Sequence, residues 1–188
     1  LALHGWLDNA ASFDTLAPLL DGRRIIALDL PGHGLSAHRG VDGTYNIWDD
    51  LPTLMHFTAA LGLERYDLLG HSRGAAIASR FAYAQDASFD GLILIGTSHP
   101  KEQAFDLSNS TLAVTKIYAS NDGLASPDEV KDNAIYLPAN TTWVLIEGGN
   151  HSQFGYFGKL LFDNPATISR EQQQKLTIEA ILSALNRK

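Results

Sequence analysis

A chain of 188 residues, 45% of them hydrophobic, is long enough to bury one sizeable core, and residues 1–188 are expected to form a single domain. A net charge of −7 without any basic run argues against nucleic acid as a partner, and the absence of cysteine excludes disulfides, thiolate metal sites and cysteine nucleophiles. No apolar run approaches the roughly 20 residues that cross a bilayer, and Leu1-Ala2-Leu3-His4 lacks the charged and apolar regions of a signal peptide, so a soluble, cytoplasmic protein without membrane contacts is expected.

Apolar runs bounded by turn residues alternate with segments of helical period. That pattern predicts strands joined by crossover helices in a doubly wound, mostly parallel α/β sheet. In chain order the strands are Leu1 to His4, Arg24 to Leu30, Tyr66 to His71, Gly91 to Thr97, Val114 to Ser120 and Thr142 to Glu147. Their Ile, Leu and Val content suits a sheet covered on both faces. Helices are predicted over Phe13 to Leu20, about Asp50 to Leu61, Ala75 to Ala84, Pro127 to Tyr136 and Arg170 to Asn186. Pro52 requires its helix to begin only one or two residues earlier. Ser126 and Ser169 each precede Glu or Gln by three residues and mark helix starts. In the last helix Leu176, Ile178, Ile181, Leu182 and Leu185 form a stripe expected to pack on the sheet.

The motif that carries chemistry is Gly70-His71-Ser72-Arg73-Gly74, between an apolar strand and a small-residue helix. Such a strand–turn–helix presents its serine in a strained conformation, and a Cβ at Gly70 or Gly74 would collide where strand and helix pass. Ser72 is therefore the expected nucleophile. A serine hydroxyl needs a base within reach, and that base needs a carboxylate to orient it. His151 follows a strand through Gly148-Gly149-Asn150, and Asp122 follows another in Asn121-Asp122-Gly123, so both leave the carboxyl edge that carries Ser72. The chain order Ser, Asp, His matches the strand-to-helix serine motif. Asp122 is preferred over Asp128 and Glu129, which suit a helical first turn, and over Glu147, which still lies along its strand. His4, His33, His38, His56, His71 and His99 are assigned structural or solvent-exposed roles. Backbone N–H groups of Trp6 and Arg73 are the candidate oxyanion donors. Asp29-Leu30-Pro31-Gly32-His33-Gly34 is read as a structural turn. No phosphate-binding loop or zinc motif is present, so neither a cofactor nor a metal is expected.

These residues resemble the α/β-hydrolase superfamily over nearly the whole chain. His4 to Asn9, Asp29 to Ser36 and Gly70 to Gly74 look like the serine hydrolase-like and esterase branch. Asn121-Asp122-Gly123 and Gly148 to Gly155 are similar to small dienelactone-hydrolase-like proteins, a split that a recombined chain would explain. The resemblance implies a core lacking the first two family strands and the helical cap, because Ser98 to Ala113 is too short for a multi-helix insertion. Phe154 to Phe162 is expected either to wall the site or to pack beneath a long loop. The implied activity is hydrolysis of small or medium uncharged carboxylic esters through an acyl-enzyme. Alternatives are a lactonase, thioesterase, perhydrolase or hydroxynitrile lyase, or a non-catalytic scaffold or binding protein.

With the superfamily's strand order, Arg24 to Leu30 forms the sheet edge, and unless a loop or helix covers it, its unpaired backbone groups invite self-association, either a homodimer continuing the sheet or slow aggregation. Sedimentation over a wide concentration range is expected to show reversible self-association that Ile26→Lys abolishes. A monomer at every concentration, unchanged by the substitution, excludes it.

Overall fold

The computed structural model describes all residues except Asp21, Asp86, Ala87, Phe157 and Lys188. Its sheet has six strands, β1 (Ala2–Leu3), β2 (Ala27–Leu28), β3 (Tyr66–His71), β4 (Phe89–Ile95), β5 (Ala113–Ala119) and β6 (Thr142–Ile146). They lie in the order β2-β1-β3-β4-β5-β6, and every neighbouring pair is parallel. The order turns at β1, so β1 and β3 lie side by side and their carboxyl ends open onto a common crevice.

Alternation along the strands explains why both faces are covered. Leu68, Leu92, Leu94 and Val114 enter one core with Ile77, Phe81 and Leu54 from the helices α1 (Asp50–Ala60) and α2 (Arg73–Ala84). Leu69, Ile93, Ile95 and Ile117 enter the other, with Phe13, Leu16 and Ile181. Period two in the strand thus feeds two apolar layers, the reason these runs read as almost continuously hydrophobic.

The predicted helix over Phe13 to Leu20 is instead two short 3-10 turns, Ala10–Phe13 and Ala17–Leu19. Pro18 sits where a continuous helix would need an N–H, and it disfavours helical geometry at Ala17. The segment predicted from Pro127 to Tyr136 tightens after α3 (Pro127–Asp132) into a 3-10 turn at Asn133–Tyr136. Ser126 and Ser169 cap α3 and α4 (Arg170–Leu185) by accepting from Glu129 N and Gln172 N. Asp50 opens α1, so Pro52 falls in its first turn.

Two expectations need correction. Leu176 is 37% exposed, and the inward face of α4 begins with the polar side chains Gln173, Gln174 and Thr177 before it turns apolar at Ala180 and Ile181. The Arg24 to Leu30 strand pairs as a strand only at Ala27–Leu28, because its neighbour β1 is itself two residues long. It does lie at the sheet edge. Between β4 and β5 the helical structure consists of one 3-10 turn, Gln103–Phe105.

The closest passage in the fold is α2 over β1 and β3. A Cβ on Gly74 would strike the carbonyl oxygens of Leu3 and His4, and one on Gly70 would lie 2.5 Å from Ala75 Cα. Both obstacles are backbone, which cannot swing aside. Gly74→Ala is therefore expected to destabilise by several kcal/mol, the range of buried overpacking with backbone displacement (~1–3 kcal/mol or more). A thermal melt within a degree or two of wild type would contradict that reading.

Candidate functional site

The turn between β3 and α2 holds Ser72 at φ 52°, ψ −118°, a left-handed conformation that L residues avoid. The Ser72 N–H donates to Ile95 O at 2.8 Å, which locks the strained residue to β4. Its Oγ lies 2.8 Å from His151 Nε2, and His151 Nδ1 lies 2.9 Å from Asp122 Oδ2. Ser72, Asp122 and His151, separated by up to 79 positions, are thus brought into one hydrogen-bonded chain at the carboxyl edge of the sheet. The carboxylate can only accept, so it selects the imidazole tautomer with the proton on Nδ1 and leaves Nε2 to accept from the serine hydroxyl.

Asp122 is itself fixed. Its Oδ1 accepts from Leu124 N at 2.8 Å and Ala125 N at 2.7 Å, and it is 1% exposed. Leu124 and Ala125 join Ile47, Thr97, His99 and Lys101 around a cleft of about 180 Å³ that reaches Ser72 and His151. A larger cavity of about 280 Å³, lined by Leu16, Arg23, Arg65 and Asp67, lies near the amino ends of β1 and β3. It contains no serine–histidine pair among the described residues.

Arg73 opens α2, so its N–H belongs to a first turn without an intrahelical acceptor. Gly5 lies against the same turn, since a Cβ there would come within 3.3 Å of Ser72 Cβ and 3.1 Å of His71 Nδ1. Trp6, which follows Gly5, is 66% exposed, and Leu7 after it is held at φ 58°. Of the two predicted donors, Arg73 directly follows Ser72 as the first residue of α2, and Trp6 follows the Gly5 turn that packs against Ser72.

Of the histidines set aside in the sequence, His38 and His56 are exposed, and His4, His71 and His99 are packed into the structure. His4, fully buried, donates from Nδ1 to Gly5 O (2.7 Å) and accepts at Nε2 from Leu30 N (2.9 Å), so it staples the Gly5 turn to the loop after β2. Burial pushes its pKa down. His71 packs between the His151 ring, 5.6 Å away, and Phe154, and burial with the nearby His151 holds its pKa down to about 3. His99 on the cleft wall is lowered to about 4 by burial and by the cations Lys101, Arg80 and Lys116. Beneath that wall the fully buried Lys116 donates to His99 O, and burial brings it down to about 7.

Asp29 behaves as the structural anchor expected, accepting from Ala10 N at 2.7 Å and Leu35 N at 2.8 Å. The Phe154 to Phe162 segment does not wall the cleft. Phe154 is buried under Gly96, while Tyr156, Leu161 and Phe162 are exposed and Phe157 lies outside the described residues.

Three residues escaped sequence reasoning. Gln173 clamps the loop before the histidine, with Asn150 N donating to Oε1 at 3.0 Å and Nε2 donating to Asn150 O at 2.7 Å. Asp50, 1% exposed, receives both Arg73 (2.7 Å) and Arg39 (2.9 Å) and so ties the Arg39–Asp50 loop to the residue after Ser72. Asp163, 6% exposed, accepts from Gly123 N, His151 N, Ser152 N and Ser152 Oγ. The only sequence signal for Gln173 was its polarity on a helix face that otherwise turns inward. Asp50 and Asp163 look like ordinary solvated carboxylates.

The model of the alpha/beta hydrolase family matches residues 54–175. A serine hydrolase-like protein of Dictyostelium discoideum is 34% identical over 160 residues, covering 79% of this chain and 43% of that protein. The likeness to serine hydrolase-like proteins thus extends beyond the first half of the chain. The chain spans about half or less of the curated relatives it matches. Among solved structures, a hydrolase from Pseudomonas aeruginosa superposes with a TM-score of 0.77 at 14% identity, over 99% of this chain and 89% of that one. An esterase from Thermogutta terrifontis superposes at 0.75 and 16% identity, over 98% of this chain and 88% of that one. Among the described residues, no helix is long and apolar enough to cross a membrane.

The buried histidines make stability depend on pH. His71 (about 3) and His99 (about 4) stay neutral in the fold, whereas in the unfolded chain they take up protons below about 6.5. The unfolded state binds more protons there, so stability falls as pH drops from about 6.5 towards 4. Lys116, lowered to about 7, gives the same sign at higher pH. Melting temperature is thus expected to rise from pH 5 to pH 9, with the slope below pH 6.5 reduced in His71→Gln. A flat profile would contradict this assignment.

Proposed function

The chain belongs to the α/β-hydrolase family, and on that premise we propose that it is a serine hydrolase cleaving small or medium carboxylic esters, with Ser72 as nucleophile, His151 as base and Asp122 as orienting acid. One observation carries the reading: an unbroken chain from Ser72 Oγ to His151 Nε2 (2.8 Å) and from Nδ1 to the buried Asp122 (2.9 Å), on a serine held at φ 52°. Strain of this kind persists only where surrounding structure enforces it, and it exposes Oγ above the start of α2. Relatives that are serine hydrolase-like and neighbours that include an esterase support the same reading.

In the proposed reaction Ser72 Oγ attacks the ester carbonyl while its proton passes to His151 Nε2. The carbonyl electron pair moves to oxygen, and the oxyanion accepts from the Trp6 and Arg73 N–H groups. Collapse expels the alkoxide, which takes the proton from His151 and leaves an acyl-Ser72. Water then repeats the sequence, giving up its proton to His151 and releasing the acid with restored Ser72. Asp122 keeps the imidazole in the required tautomer and stabilises its protonated form.

The cleft is small and its walls are mixed, with Ile47, Ala76 and Leu124 beside Thr97 and His99. Few apolar walls mean little discrimination per methylene, about 1–3 kcal/mol at most in a closed hydrophobic pocket and less in an open one. Short acyl chains are the expected substrates.

A series of p-nitrophenyl esters tests the proposal, with turnover best at short chains and lost in Ser72→Ala. Asp122→Asn is expected to lower kcat by roughly 10⁴-fold with KM nearly unchanged, because it disturbs tautomer and imidazolium rather than binding. Activity should rise with pH over the range in which an imidazole loses its proton, roughly pH 6 to 7. His71, lowered to about 3 by burial, contributes nothing to that rise. Saturable ligand binding without turnover, or full activity in Ser72→Ala, overturns the proposal.

A further inference from the structure

The loop ahead of α4 contains a carboxylate that the proposed reaction does not name. Asp163 Oδ1 accepts from Gly123 N at 3.1 Å and His151 N at 3.3 Å, and Oδ2 accepts from Ser152 N at 2.8 Å and Ser152 Oγ at 2.6 Å. Every neighbour donates, so the group serves as an acceptor only. Its partners are the backbone N–H of the residue after Asp122, of His151 itself and of the residue after it. One side chain therefore joins the acid loop to the base loop.

Two independent features serve this contact. Phe162, immediately before it, is held at φ 68° and is 88% exposed, a combination unfavourable in both backbone and side chain. Gly123 lies so close that a Cβ would strike Phe162 O and come within 3.0 Å of Asp163 Cα. The backbone is strained on one side and stripped of a side chain on the other, and both adjustments bring Asp163 inward. Ser152 Oγ in turn accepts from Leu160 N at 3.0 Å, which orients its own proton towards Oδ2.

We infer that Asp163 is a positioning residue for the His151–Asp122 pair, setting the register of their two loops and supplying a second buried negative charge beside the imidazolium that forms when Ser72 gives up its proton. The inference rests on the proposed ester hydrolysis for its kinetic consequences and on geometry for its existence. The groups facing the imidazole are Asp122 from the loop after β5, His71 at the end of β3, Ser72, and Asp163 through the His151 backbone. From the loop after β4 the nearest atoms are those of the uncharged Gly96, with His99 and Lys101 further along the cleft wall, and α4 contributes the neutral amide of Gln173. Loss of the Asp163 charge is therefore a loss of negative potential that no other group replaces.

Asp163→Asn keeps the shape, removes the charge and turns a donor towards donors. With p-nitrophenyl butyrate, and with active sites counted so that only folded molecules contribute, kcat is expected to fall about tenfold to a hundredfold, as a displacement near 1 Å does, with KM within about threefold. The acid limb of the pH–rate profile should move to lower pH. A residue that merely staples loops would lower the melting temperature and leave both unchanged, and that result overturns the inference. Should Asp163→Asn fail to fold, Ser152→Ala decides: it removes the 2.6 Å donor, so kcat falls threefold or more at constant KM, and wild-type kcat overturns the inference. If the wild-type protein cleaves no ester, the proposed function fails on its own. The positioning role is then read from the downfield proton resonance of His151 Nδ1–H, identified by its loss in His151→Asn. Asp163→Asn should shift or abolish that signal, and an unchanged signal overturns the inference.

Discussion

Everything at the carboxyl edge of this sheet depends on how closely α2 crosses β1 and β3. The approach is possible because Gly70 and Gly74 have no Cβ, and it forces the residue between them into a left-handed conformation. Ser72 cannot relax, since its N–H is bonded to Ile95 O and its carbonyl accepts from Ala75 and Ala76 N–H at the start of the helix. A hydroxyl is thereby held clear of the sheet at a fixed point. The remaining loops can be understood as devices that bring partners to that point.

Those devices are mostly buried polar side chains bonded to backbone. His4 joins the Gly5 turn to Leu30, Gln173 holds Asn150, Asp122 gathers Leu124 and Ala125, and Asp50 collects Arg73 and Arg39. Loops have few backbone partners of their own, and burying their N–H and C=O groups without acceptors would cost about 1–3 kcal/mol each. Side chains supply the missing ladder. The electrostatic consequence is that burial lowers the pKa of His4, His71 and His99, down to about 3 for His71 and about 4 for His99.

The same arrangement shapes the cleft. Trp6, Leu7, Leu124, Leu161 and Phe162 are exposed on loops that carry or adjoin the site, whereas the cleft floor is small and mixed in polarity. Over that floor, the described segment between Ile95 and Ala113 contributes one 3-10 turn, Gln103–Phe105.

Alternation of apolar runs with helical segments determined the layered α/β architecture, because a strand covered on both faces must be apolar on both. Gly70-His71-Ser72-Arg73-Gly74 determined the turn that carries Ser72, since only glycine fits the crossing at positions 70 and 74. Asp122 and His151 were legible because each follows a strand through a turn at the edge that carries the serine. Pro18 also held the information that splits its helix, although the apolar pattern around it spoke louder. Tertiary structure alone decided the rest. Leu176 faces solvent, and Gln173 and Asp163 face inward, because the partners they meet or miss lie in loops far along the chain. Local periodicity reports which face of an element is apolar. It carries no record of which distant N–H will need an acceptor, and that need is what turns an ordinary-looking carboxylate or amide into part of a site.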